Sequence, residues 1–445
     1  MSQATSIRWT IAASAIAAGM AFIDTTVLTV ALPALRAELQ ANESQLLWIH
    51  NAYAVVLAAL LLLCGALGDR FGIRRVFMMG IAGFGLSSIT CGLAPNANAL
   101  IALRILQGMM AALMIPGSLA MIARATSAKS LGKAVGIWSA FTLIATAIGP
   151  ILGGILVHNG WWRGVFFINV PLAICAWIIT AKRTATDERN DQACKIDWVG
   201  SALLIIGLAS LSYTLIDQSL TYAAGVIAFV LFFMREKAAT DPILPPSLFR
   251  SRSLVVSIAL SLLIHSAWAG FTYLLPTHLI DALSFSAAAA GFMQIPTLIM
   301  VVLFSPIAGK WLDRSGPRPV LALGALICAA GFGSLLWPGY DAQPLLMIAP
   351  LSFMGIGLGF CAAPLSASII SSVSSKHHGL AVGINSTCAR VASALGVALL
   401  GSLAWQKGSL NFGVLTITAA ILCSLALPTT LLFPSKTKRD RKHEP

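Results

Sequence analysis

Apolar runs close to the length of about 20 residues that crosses a bilayer recur along this chain from Trp9 to Phe433, and few folds tolerate that pattern. No stretch between the runs is long enough for a separate soluble domain. Of 445 residues, 58% are hydrophobic and only 10% are charged, where a soluble domain has about 25% charged residues, so the chain needs lipid as its solvent. The expected fold class is an all-α polytopic membrane protein. Met1 to Ala21 has a basic residue, an apolar stretch and small residues like a secretory signal. The apolar pattern runs on past Asp24 to Leu32, however, which suits a first spanning helix instead.

Spans are expected at roughly 9–33, 46–68, 75–94, 99–123, 133–157, 164–181, 198–216, 221–234, 254–276, 286–309, 319–337, 344–372, 379–403 and 411–433. That makes fourteen. The eighth is short and Pro or Gly interrupts several others, so twelve is the alternative. Lys and Arg collect in cytoplasmic loops, which tests the count. With the N-terminus inside, all of the 29 basic residues fall in cytoplasmic segments except Arg36, Arg163 and Lys407 near the outer face and Arg104 and Arg390 within helices. This split predicts an even number of spans and two cytoplasmic termini. It also accounts for the net charge of +13 without nucleic acid as a partner, because the basic residues are spread over short loops. Residues 435–445 read as a solvated basic tail near anionic lipid. The eight cysteines form no CxxC pair and mostly lie inside apolar runs, as small core residues do; no metal site or cofactor is expected.

One segment occurs twice. Gly65, Asp69, Arg70, Gly72, Arg74 and Arg75 lie between spans two and three, and Gly309, Asp313, Arg314, Gly316 and Arg318 lie between spans ten and eleven. Both read G-x-x-x-D-R-x-G-x-R, so the chain contains two related halves, an arrangement that in transporters places the substrate site between the halves near the midplane. Glycine permits the sharp turn, and Asp69 can pair with basic groups or cap a helix. Either a conformational latch or a plain positive-inside turn fits these residues.

An ionisable side chain at the bilayer centre costs about 2.5–3.5 kcal/mol on insertion scales, so each one calls for a role. Asp24 is the sole carboxylate well inside an expected helix. At 1.5 Å per residue it lies roughly 20–24 Å from the inner face, and Arg104, on a helix running the other way, about 8 Å below the outer surface of a core about 30 Å thick. The depths match. Asp24 and Arg104 are therefore expected to face one cavity, where protonation of Asp24 alters its interaction with Arg104, Gln107 or substrate; a permanent structural ion pair is the alternative. Arg390 and His265 reach the midplane from the inside, and both are candidates to contact substrate. Arg390 suits a functional or helix-pairing role, and His265 a hydrogen-bonded core histidine. Asn385 and Gln294 fit ligand contact or interhelical bonding equally. Gly149, Pro150, Gly153 and Gly154 in span five set small surfaces at helical spacing beside a bend, which packing alone explains.

The duplicated loop resembles the signature loop of the major facilitator superfamily. Three further segments are similar to the drug:proton antiporters of that family: Arg104-Ile-Leu-Gln107-Gly108, Gly149-Pro150-Ile-Leu-Gly153-Gly154, and Asp24-Thr25-Thr26 through Pro33. Asp197-Trp-Val-Gly200 and Asp241-Pro-Ile-Leu-Pro are similar to segments of the fourteen-spanner branch. Ile73, in a slot often basic, and Ala145, in place of a frequent glycine, depart from the pattern.

The resemblance implies a major facilitator fold of two six-helix bundles, 1–183 and 253–434, with two extra helices in a linker at 184–252. It also implies a proton-coupled secondary transporter of the bacterial inner membrane, a monomer that exports lipophilic small molecules by drug:proton antiport. A facilitator or proton symporter for one metabolite has the same architecture. A membrane-embedded enzyme would need a catalytic His/Asp cluster, and an ATPase a Gly-x-x-x-x-Gly-Lys-Ser/Thr loop. Neither occurs in the sequence.

Overall fold

In hydrocarbon no water satisfies backbone N–H and C=O groups, so an apolar run must close its hydrogen bonds within itself. The computed structural model describes residues 3–126, 128–184, 198–217, 222–238, 248, 250–340, 343–372, 378–406 and 409–433, and these are overwhelmingly helical. The expected basic tail, 435–445, lies outside the described residues.

The helices are α1 (Gln3–Leu39), α2 (Glu43–Phe71), α3 (Ile73–Gly92), α4 (Ala97–Ala125), α5 (Ala128–His158), α6 (Gly164–Phe167), α7 (Asn169–Arg183), α8 (Trp198–Asp217), α9 (Tyr222–Ala238), α10 (Arg252–Asp281), α11 (Ala287–Phe292), α12 (Ile295–Ser315), α13 (Pro317–Ser334), α14 (Ile348–Ser371), α15 (His378–Ala404) and α16 (Phe412–Thr430). A hairpin of two-residue strands, β1 (Trp405–Gln406) and β2 (Ser409–Leu410), joins α15 to α16.

Among the described residues thirteen segments are long and apolar enough to cross a membrane, with α6 and α7 forming one of them and α11 continuing into α12 as another. The expected eighth span is α9, whose 17 residues reach only roughly 25 Å at 1.5 Å per residue, so bilayer thinning would have to make up the difference.

Some boundaries differ from expectation near prolines. The first helix was expected to stop at residue 33, yet α1 runs through Pro33 to Leu39 and carries Arg36 and Glu38 on its last turns. The sixth and tenth spans are each broken just before a proline. Pro171 and Pro296 each lack the N–H that would bond the carbonyl four residues earlier, and those carbonyls belong to Phe167 and Phe292, where α6 and α11 end.

The chain forms two packing units: Met1–Ile243 with Thr272–Met293 and Val397–Leu410, and Leu244–Phe271 with Gln294–Gly396 and Asn411–Pro445. In the first, α2 packs on α4, α4 on α3, and α3 on α7. In the second, α12 packs on α14, α14 on α13, and α13 on α16. The same packing order in each unit is the three-dimensional counterpart of the sequence repeat. Met20, Tyr53, Leu57, Phe77, Phe84, Met114 and Ala173 form one apolar cluster that fixes α1, α2, α3, α4 and α7 against each other. Met79, Leu86, Ile144, Ile174, Val226, Leu303 and Ile421 are exposed, a distribution that a bilayer, not water, accommodates.

Candidate functional site

Asp24, Arg104 and Gln107, placed at one depth from the sequence, meet in a single buried cluster. Arg104 and Gln107 are 0% exposed and Asp24 1%. Arg104 Nη1 donates to Asp24 Oδ2 at 2.5 Å and to Gln107 Oε1 at 2.7 Å. Gln107 Nε2 in turn donates to Asp24 Oδ1 at 2.9 Å and to Ser88 Oγ at 2.8 Å. The Gln107 amide is thereby oriented: its oxygen faces the guanidinium and its nitrogen the carboxylate. The three-residue spacing of Arg104 and Gln107 on α4 puts both on the face turned toward α1.

Two participants were not among the sequence candidates. Asn169, the first residue of α7 after the break at Ile168, donates from Nδ2 to Asp24 Oδ1 at 2.9 Å and to Ser88 Oγ at 3.3 Å. Ser88 itself comes from α3. On the far side of the guanidinium, Arg104 Nε donates to the Ile49 carbonyl at 3.0 Å, and the Tyr53 ring lies 4.3 Å from Cζ. The charge of Arg104 is thus met by a carboxylate, a carbonyl and an aromatic face, which together offset its removal from water. Arg104 Nη2 and Asn169 Oδ1 have no hydrogen-bond partner among the described residues.

Both copies of the repeated loop turn on a glycine with positive φ. Gly72, between α2 and α3, has φ 97°, and Gly316, between α12 and α13, has φ 77°. A side chain at either position would strain the backbone, so the second glycine of the motif is there for its conformation. Arg74 donates from Nη2 to the Ala181 carbonyl at 2.7 Å and from Nε to Thr184 Oγ1 at 3.1 Å, so a cation sits on the C-terminal carbonyls of α7. Arg70, Arg75, Arg314 and Arg318 are exposed. The side-chain surroundings of Gly65, Asp69 and Asp313 lie outside the described residues, and Gly309 has open space around it.

A family model described as Major Facilitator Superfamily matches residues 14–303 and 257–444, nearly the whole chain. The chain belongs to the Major Facilitator Superfamily. Like the other matched proteins of the superfamily, it is a transporter and not an enzyme. It is 33% identical over 407 residues to the tetracenomycin C resistance and export protein of Streptomyces glaucescens, covering 88% of this chain and 75% of that one. It is 26% identical over 441 residues to the riboflavin transporter RibZ of Clostridioides difficile, covering 95% and 96%. Among solved structures of the superfamily, a D-xylose-proton symporter superposes with a TM-score of 0.67 at 17% identity, covering 98% of this chain and 99% of that one, which establishes the shared fold.

In this superfamily member the glycines of α5 lie directly against the turn that carries Asp24. A methyl group on Gly153 would come within 2.6 Å of the Val27 carbonyl, and one on Gly149 would collide with the Thr26 side chain. One residue further on, a methyl group on Gly154 would lie 2.6 Å from the Ala287 carbonyl of α11, and Gly291 of α11 is equally tight against the backbone of Pro150. The four residues singled out in span five therefore hold α1 on one side and α11 on the other.

The remaining candidates lie in the second packing unit. Asn385 donates from α15 to Ser366 Oγ of α14 at 3.0 Å. His265 bonds Ser261, one turn earlier on its own helix, at 3.0 Å to the carbonyl. Gln294 is buried at the step between α11 and α12, and Arg390 is half-buried on α15.

Proposed function

We propose that this transporter exports lipophilic small molecules in exchange for protons, with Asp24 as the proton-carrying group. The observation that carries this reading is a carboxylate held wholly inside the protein by three N–H donors, from Arg104, Gln107 and Asn169. Protonation removes one acceptor position and leaves Arg104 without its counter-charge, which favours a rearrangement of α1 against α4 or recruitment of another acceptor. The free Nη2 of Arg104 is available to such an acceptor. Because α5 is fitted to the residues flanking Asp24 on one face and to α11 on the other, movement of α1 is passed to a helix from the second half of the sequence.

Export as the direction is supported by the name of the Streptomyces relative and by the antiport-like residues of α5. The distribution of Lys and Arg supports cytoplasmic termini and an inner-membrane location. Bundles at 1–183 and 253–434 joined by the helices of 184–252, working as a monomer, complete the proposal. Gln107, Arg390, Asn385 and Gln294 are the candidate substrate contacts, with the duplicated loops as latches, while the bond of His265 to the Ser261 carbonyl supports a core role for that residue.

Transport in proteoliposomes under an imposed proton gradient, across a panel of lipophilic cations and neutral compounds, tests it. Accumulation driven against the direction of proton flow supports antiport, and uptake together with protons overturns it.

A further inference from the structure

The helices α2, α4 and α8 line an open cavity of about 600 Å³ that takes no part in the Asp24 cluster. Arg104 of α4 turns inward, and its neighbour Ile105 lines this cavity on the opposite side. The cavity is polar at one end and apolar at the other. Its mouth is formed where α2 begins and α8 ends, by Ser44, Trp48, Tyr213 and Asp217; deeper along the same helices it is lined by side chains such as Ile105 and Ile205.

Asp217 is one of only 16 acidic residues in the chain. Its Oδ1 accepts from Ser44 Oγ at 2.6 Å and its Oδ2 from Trp48 Nε1 at 3.1 Å. Both donors are neutral, and no cation pairs with this carboxylate among the described residues. The two hydrogen bonds orient the carboxylate and leave acceptor positions open. The Trp48 and Tyr213 rings stand beside it with centroids 6.2 Å apart and planes tilted by 41°. A negative charge next to two aromatic faces is the arrangement that recognises an organic ammonium, and it disfavours an anion. Apolar walls below it match a hydrocarbon tail.

We propose that this cavity binds the ammonium headgroup of an amphipath, with the headgroup at Asp217, Trp48 and Tyr213 and the tail between α4 and α8. Two sources carry that chemistry: an aminophospholipid of the surrounding bilayer, and a free alkylammonium compound. The inference rests on the cavity alone and does not depend on proton exchange at Asp24.

The test is binding of tritiated dodecylammonium to the purified full-length protein in maltoside micelles, measured by scintillation proximity. Asp217→Asn is expected to weaken binding by about tenfold or more, the loss of one charge-assisted contact. Asp217→Glu is expected to retain it. Tyr213→Leu, at an exposed position, is expected to weaken binding several-fold, and Asp24→Asn to leave it intact. Displacement by phosphatidylethanolamine but not phosphatidylglycerol assigns the site to a bilayer lipid; displacement by neither assigns it to a free amphipath. Unchanged binding in both Asp217→Asn and Tyr213→Leu overturns the proposal, as does loss in Asp24→Asn alone or equal displacement by both lipids.

Discussion

Gly153 of α5 faces the carbonyl of Val27 so closely that a methyl group there would lie 2.6 Å from the oxygen, three residues along α1 from Asp24. The position of the buried carboxylate is therefore set by backbone packing as well as by its hydrogen-bond donors. Gly153→Ala should force α1 and α5 apart, at about 1–3 kcal/mol of overpacking. A lower melting temperature in detergent and a transport rate reduced at least several-fold are the expected results. Wild-type transport in this variant would show that α5 does not need to hold α1.

Arg104 makes bonds that a lysine cannot reproduce together, because Nε and Nη1 point to Ile49, Asp24 and Gln107 at once. Arg104→Lys is expected to fold poorly or lose transport although the charge is kept. Arg104→Ala leaves Asp24 buried and uncompensated, at about 3–5 kcal/mol, and the Asp24→Ala/Arg104→Ala double variant should be less destabilised than Arg104→Ala alone. Thermal unfolding of the three variants in one detergent measures this. Additive losses would mean that the two residues are not coupled.

At the other end of the first unit, Arg74 lies on the last carbonyls of α7. Arg74→Ala is expected to lower stability by about 1 kcal/mol, with Arg74→Lys recovering part of it, since a cation near a helix C-terminus is worth roughly that much. A loss much larger than this, unrecovered by lysine, would point to a latch instead of a cap.

The placement of Lys and Arg gives a topology that labelling can read. In a cysteine-free background, Asn159→Cys should react with an impermeant maleimide from outside the cell and Ser315→Cys only after the membrane is opened. The reverse pattern would invert the orientation.

Much of the architecture could be read from the sequence because it depends on signals that survive in one dimension. Span length, loop charge and the repeated G-x-x-x-D-R-x-G-x-R segment are of that kind, and the positive φ at Gly72 and Gly316 is what the repeated glycine implied. Asp24 and Arg104 could be paired because charge is rare in the bilayer and helix rise fixes depth. Asn169 and Ser88 could not. Uncharged polar residues occur throughout such helices, and a helix that is apolar all round has no periodicity to reveal which face turns inward. The one clue to Asn169 was Pro171, whose missing N–H ends α6 and sets Asn169 at the start of the next segment. The end of the first helix is also misplaced: the expected span closes near residue 33, but α1 continues through Pro33 to Leu39.

The central claim is that Asp24 carries the proton, and Asp24→Asn tests it most directly. The amide keeps the size and some hydrogen bonds of the carboxylate but cannot carry a proton as a carboxylate does. In proteoliposomes loaded with a transported compound, the expected result is that Asp24→Asn still permits exchange of labelled for unlabelled substrate while accumulation driven by a proton gradient is abolished. Proton-driven accumulation at the wild-type level in Asp24→Asn would contradict the account.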